Sequence, residues 1–143
     1  MRVRHIIHRD GRQLRLTLSR GEGGEGPLIR LGDPLRVCPA AILLDVNGAE
    51  LLAAFLMSAR LAAVGELAEE SCNGDYPYRL RLSAQAGVAR VEIDQLGQQL
   101  LIARSLWDRL YAELQLVLAH SRQLSRTAAT SGVSAIETRR VLH

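Results

Sequence analysis

Residues 41–64, AILLDVNGAELLAAFLMSARLAAV, read as a short apolar strand, a polar turn and a helix with almost no polar face. Asn47 is placed to N-cap that helix and Glu50, three residues on, to reach back to the cap backbone, which is a capping box ahead of an apolar run. Beyond it, Leu51, Leu52, Phe55, Leu56, Met57, Leu61 and Val64 point in most directions around a helical wheel, interrupted by Ser58 and Arg60. Such a helix needs cover on more than one side, from its own sheet and a second helix or from another subunit. In the second case Leu52, Phe55, Leu56 and Ala59 are the expected interface of a homo-oligomer, and of a homodimer in the simplest form.

Upstream, Val3 to His8 and Gln13 to Ser19 flank an Asp10-Gly11 pair, a two-residue hairpin signal. In the second run Leu14, Leu16 and Leu18 alternate with Arg15, Thr17 and Ser19, so one face goes to the core. The first run alternates less cleanly and reads as an edge strand. Leu28 to Leu31, Leu35 to Cys38 and Ala41 to Asp45 read as further short strands. Between them lies RGEGGEGP, residues 20 to 27, read as an exposed connection. Its glycines fit neither phosphate-binding spacing, and its two glutamates would repel a phosphate.

Downstream, residues 66–75, ELAEESCNGD, form an acidic connector. The strand pattern then returns. Tyr78, Leu80 and Leu82 alternate with Arg79, Arg81 and Ser83, and after an Ala86-Gly87 turn Ala89, Val91 and Ile93 alternate with Arg90, Glu92 and Asp94. Gln98 to Ala103 is a third strand. Ser105 and Asp108 repeat the capping-box spacing before a second helix whose buried face is Leu106, Leu110, Leu114, Val117 and Leu118. The shift that sets Leu44 on Ile102 also sets Asn47 on Ser105, Glu50 on Asp108 and Leu56 on Leu114. The expected fold is α+β, antiparallel β-hairpins packed on two helices, with two tandem strand-strand-strand-helix units as one form of it. One domain is expected over 1–122, divisible into a pseudo-repeat of 1–70 and 76–122, with 123–143 a flexible or loosely docked basic tail.

The chain of 143 residues is 48% hydrophobic and only 3% aromatic, so aliphatic packing must fill the core. All 18 basic residues are arginine, against 15 acids, for a formal charge of +3. The absence of lysine fits a GC-rich, bacterial-like coding composition, and the balance is too mild to name a polyanionic partner by itself. Cys38 and Cys72 lack metal-ligand spacing and read as reduced thiols. No stretch has the length or apolarity to span a bilayer, so a cytoplasmic chain without a membrane partner is expected.

For catalysis one wants a nucleophile, an acid–base pair or metal ligands at workable spacing, and the sequence presents none. His5 and His8 fall on opposite faces of one strand, and Asp45 reads as a local hydrogen-bonding group at the helix entry. No cofactor, metal or enzymatic activity is therefore expected. The arginines are the more informative feature. Arg15, Arg79, Arg81 and Arg90 all project away from the core face, so a continuous sheet would show a basic surface, extended by Arg2 and Arg4. Such a surface suits a phosphate backbone. A unit of antiparallel strands followed by one helix is similar, in architecture alone, to the Whirly and Pur-type nucleic-acid-binding proteins, in which such units pair; no motif carries membership of either. The sequence thus points first to a small non-catalytic nucleic-acid-binding module. The alternative is a protein-interaction module, an adaptor, chaperone or assembly factor binding through the apolar helix.

Overall fold

The computed structural model describes residues 2–20, 26–36, 41–63 and 65–122. Most of the glycine connection, Cys38, Val64 and the tail 123–143 lie outside these residues, so the readings placed on them do too. The fold is α+β. Strands β1 (Arg2–Ile7), β2 (Gln13–Arg20), β3 (Pro27–Gly32) and β4 (Ala41–Leu44) form one antiparallel sheet in sequential order, followed by helix α1 (Val46–Leu61). Strands β5 (Glu70–Cys72), β6 (Tyr78–Gln85), β7 (Val88–Gln95) and β8 (Gln98–Ala103) form a second, followed by a 3₁₀ turn at Arg104–Leu106 and helix α2 over 107–122. Each helix thus follows four strands, where the sequence offers five runs before the first helix and three before the second.

The two sheets share a register. Leu18, Ile29 and Leu44 are paired across β2, β3 and β4, and Leu82, Val91 and Ile102 across β6, β7 and β8. The next row is Leu16, Leu31 and Ile42 in one sheet and Leu80, Ile93 and Leu100 in the other. Leu44 and Ile102 each end the first of these rows, on β4 and β8. These rows face inward, and nearly all of their members are buried. Period-2 alternation explains the sidedness, because reversing it would put the aliphatic set in water.

The inner faces close on the helices in a crossed manner. Helix α1 packs on β3 and β4 of its own sheet and also on β5 and β6 of the next. Helix α2 lies along the first sheet, where Glu113 takes two bonds from Arg4 and Arg109 Nη1 donates to the Ile7 carbonyl. This two-sided cover answers the problem that α1 posed. Leu52, Phe55, Leu56 and Ala59 are at most 3% exposed within the single chain. The residues expected at a subunit interface are therefore core residues, each large one contributing roughly 1.5–3 kcal/mol by burial. Two polar contacts pin the units together. The Gln95 amide accepts from Leu43 N–H and donates to Leu43 C=O, both at 2.8 Å, so a side chain stands in for a strand partner on the edge of β4. The Tyr78 hydroxyl donates to the Gly48 carbonyl, an approach so close that a Cβ at Gly48 would meet the Tyr78 ring at 3.1 Å.

The helix starts depart from the expected capping boxes. Asp45 caps α1, its carboxylate accepting from Gly48 N–H at 2.7 Å, so the helix begins before Asn47. Asp45 outcompetes Asn47 because it sits where the chain leaves β4 in extended conformation, as an N-cap requires. At the second junction Ser105 lies inside the 3₁₀ turn and donates to Asp10 at 3.0 Å, tying this turn to the first hairpin. That hairpin has a longer loop than the Asp-Gly pair implied. His8 N–H bonds the Arg12 carbonyl and Gly11 takes φ +88°. Leu35 and Arg36 belong to a turn held by Asp33, whose carboxylate accepts from Leu35 N–H at 2.9 Å, not to a strand.

Candidate nucleic-acid interface

Six arginines stand out in the sequence, and the structure distributes them. Arg15 stands on the outer face of the first sheet. Arg79, Arg81 and Arg90 stand on the outer face of the second. The continuous sheet that would have merged them is two sheets of four strands. Arg2 and Arg4 occupy inner-facing positions of β1, register partners of Leu18 and Leu16, at the open edge of the first sheet. Arg4 is bound there by Glu113 at 3.0 and 3.1 Å, which raises its pKa through the hydrogen bond and the adjacent charge.

On the second sheet the basic residues are largely answered. Glu92 lies between Arg81 and Arg90 and is 2% exposed, although it projects from the solvent side of β7. It is covered by the side chains that bind it. Arg81 Nε donates to it at 2.9 Å with a second bond from Nη2, Ser83 Oγ donates at 2.9 Å, and Arg90 Nη2 at 3.3 Å. Arg90 also donates to Gln85 at 2.6 Å. Burial pushes the Glu92 carboxyl up, but the hydrogen bonds from Arg81 and Ser83 and the two guanidinium charges outweigh it and hold the group below its ordinary value. Arg79 is the register partner of Asp94. The strands of this sheet therefore carry Arg79, Arg81 and Arg90 against Glu70, Glu92 and Asp94.

The first sheet has the opposite character. Its four strands hold Arg2, Arg4, Arg15, Arg20 and Arg30, with His5, and no acid. Arg15 pairs in register with Gly32, and Arg30 with Thr17, which makes the two arginines diagonal neighbours on the outer face. Among the described residues neither guanidinium has a hydrogen bond or an ion pair. Between them is a cleft of about 190 Å³ that also includes Thr17, Gly32 and Asp33. The Asp33 carboxylate is engaged by Leu35 N–H. Gly32 has no side chain to fill the space opposite Arg15, which leaves the cleft between the two arginines open. Such planar forks bind phosphate oxygens in pairs at low cost in water stripped from them.

Arg30 is the residue that sequence reasoning missed. Its signal was present, because Arg30 sits between Ile29 and Leu31 and must face away from the core that takes them. Among the described residues the histidines do not assemble. His8 contacts Asp10 at 3.2 Å in the first turn, while His120 lies on α2. Among the described residues no three His, Cys, Asp or Glu side chains gather as metal ligands, and no helix is long and apolar enough to cross a membrane. Compared by sequence, the chain matches no protein-family model and no curated protein.

Proposed function

We propose that this chain is a small, non-catalytic nucleic-acid-binding module, cytoplasmic in setting, whose contact surface is the outer face of the first sheet. The observation that supports this reading is the pair Arg15 and Arg30 on the outer face of β2 and β3, strands that carry no acid, with both guanidiniums unpaired among the described residues. An arginine pair held on neighbouring strands, with the nearby Asp33 carboxylate turned to Leu35 N–H, fits the phosphates of a backbone. The outer face of β2 and β3 carries no aromatic ring, so base stacking adds nothing there and recognition is of the backbone. The second sheet, with Arg81 and Arg90 bound to Glu92, contributes less. Among the rival readings, an adaptor or chaperone binding through Leu52, Phe55, Leu56 and Ala59 would have to unpack the core to reach them.

Fluorescence anisotropy on a labelled 20-base duplex and its single strand, from low to moderate salt, tests the proposal. Log affinity should fall linearly with log salt, with a slope of about −0.9 per duplex phosphate contacted. Flat salt dependence, or no binding at low salt, overturns it.

A further inference from the structure

We infer that the solvent face of the α1–α2 pair is covered by a second copy of this chain. This inference is independent of the nucleic-acid reading. The two helices run antiparallel, since Arg60 near the end of α1 pairs with Asp108 at the start of α2 at 3.3 Å, and Arg122 at the far end of α2 reaches Glu50 near the start of α1 at 3.4 Å. After the core has taken its share of α1, the arc left in solvent is uncharged and largely apolar. Ala54, Met57, Ser58 and Leu61 face outward, Met57 38% and Leu61 84% exposed, and α1 carries no charge between Glu50 and Arg60. On α2 the adjoining outward residues are Ala112 and Ala119. A groove of about 420 Å³ runs between the helices, with Tyr111, Gln115 and Leu118 on its α2 side between the end charges Glu50 and Arg122. A helix face in permanent contact with water ordinarily carries charge along its length, and this one carries it only at its ends.

Those end charges select the occupant. A face-to-face dimer has its two-fold axis in the plane of the interface, and only two orientations align the helices. With the axis parallel to the helices, Glu50 meets Arg122 of the second copy and Arg60 meets its Asp108. With the axis across the helices, Glu50 meets Arg60 of the second copy and Arg122 meets its Asp108. Acid faces base in either case, so the surface is complementary to itself. Helix α1 has 16 residues. At about 1.5 Å per residue and about 10 Å between axes, the pair presents roughly 480 Å² per copy. Two copies together bury roughly 960 Å², below the standard size of specific interfaces, so the association is a weak one.

Sedimentation equilibrium of the full chain from about 1 to 500 µM reads this directly, since a weak dimer is populated only toward the upper end of such a range. The expected result is a monomer–dimer equilibrium that Ala54→Glu and Met57→Glu each weaken at least tenfold, with unchanged melting because both positions are exposed. Glu50→Arg should weaken it as well, since a base then meets a base in either orientation. Leu96→Ser, in the β7–β8 turn, should not. A chain that stays monomeric throughout, whether its own remaining segment or a different protein covers the face, overturns the inference. So does a dimer that Ala54→Glu and Met57→Glu leave intact.

Discussion

Phe55→Ala removes the largest side chain that α1 places between the two sheets. Phe55 is 1% exposed, on a helix packed against β3 and β4 on one side and β5 and β6 on the other. Truncating a buried Phe costs about 3–5 kcal/mol, the transfer free energy plus the cavity left behind. Against a total stability of about 5–15 kcal/mol this removes a fifth or more of it. At about 4 °C per kcal/mol for a chain of this size, Tm should drop by about 12–20 °C. The more telling result is which signals move. Urea unfolding followed by far-UV circular dichroism reports both units, while Trp107, the one tryptophan, sits at the start of α2 in the second unit. Because α1 is core to both, the two midpoints should shift together. A loss below about 1 kcal/mol, smaller than any core truncation of this kind, would refute the two-sided burial of α1. A dichroism midpoint that moves while the Trp107 midpoint stays would refute it equally.

Gln95→Ala deletes both bonds to the Leu43 backbone and should cost about 2–3 kcal/mol in urea unfolding, because the strand edge it served is left unpaired beside the core. Gln95→Glu keeps the acceptor, loses the donor, and should recover only part of that. Glu92→Gln should cost about 1–2 kcal/mol at pH 7, a figure reduced for the exposure of Arg81. The Glu92 carboxyl is depressed in the fold relative to its ordinary 4.5, so its contribution is present above that value and lost as pH falls through the lower folded value. The wild-type advantage over Glu92→Gln should therefore shrink in denaturation curves taken below pH 4.5, and a gap that widens there would refute the assignment. Leu96 is 91% exposed at φ +49°, a left-handed position its side chain gains nothing by occupying. Leu96→Asn should raise stability by about 0.5–1 kcal/mol in the same assay.

Strong periodicity made most of the fold legible. Leu14, Leu16 and Leu18, Leu80 and Leu82, and Val91 and Ile93 all point inward as alternation required, and β1 is the edge strand its mixed pattern suggested. What escaped was short or polar. Strand β5, Glu-Ser-Cys, has no alternation to read and exists because β6 offers it an edge. The helix starts were misplaced because Asp45, Asn47 and Ser105 are all competent caps, and only the direction of the incoming strand chooses among them. The apolarity of α1 was evident, but sequence could not say how much of it the chain itself would cover. For the arginines, local alternation identified the side of the sheet correctly for Arg15, Arg79, Arg81 and Arg90. It could not reveal that they belong to different sheets, or that Glu92 would fold in under two of them.

The proposed interface stands or falls on duplex affinity at one low salt concentration for Arg15→Ala/Arg30→Ala against Arg79→Ala/Arg81→Ala. Deleting a guanidinium that touches a phosphate also reduces the salt slope by about 1. If the first sheet holds the nucleic acid, the first pair weakens binding at least tenfold and flattens the slope by about 2, while the second pair changes affinity less than threefold, on the order of 0.5 kcal/mol. Equal losses from the two pairs, or a larger loss from Arg79→Ala/Arg81→Ala, would contradict it.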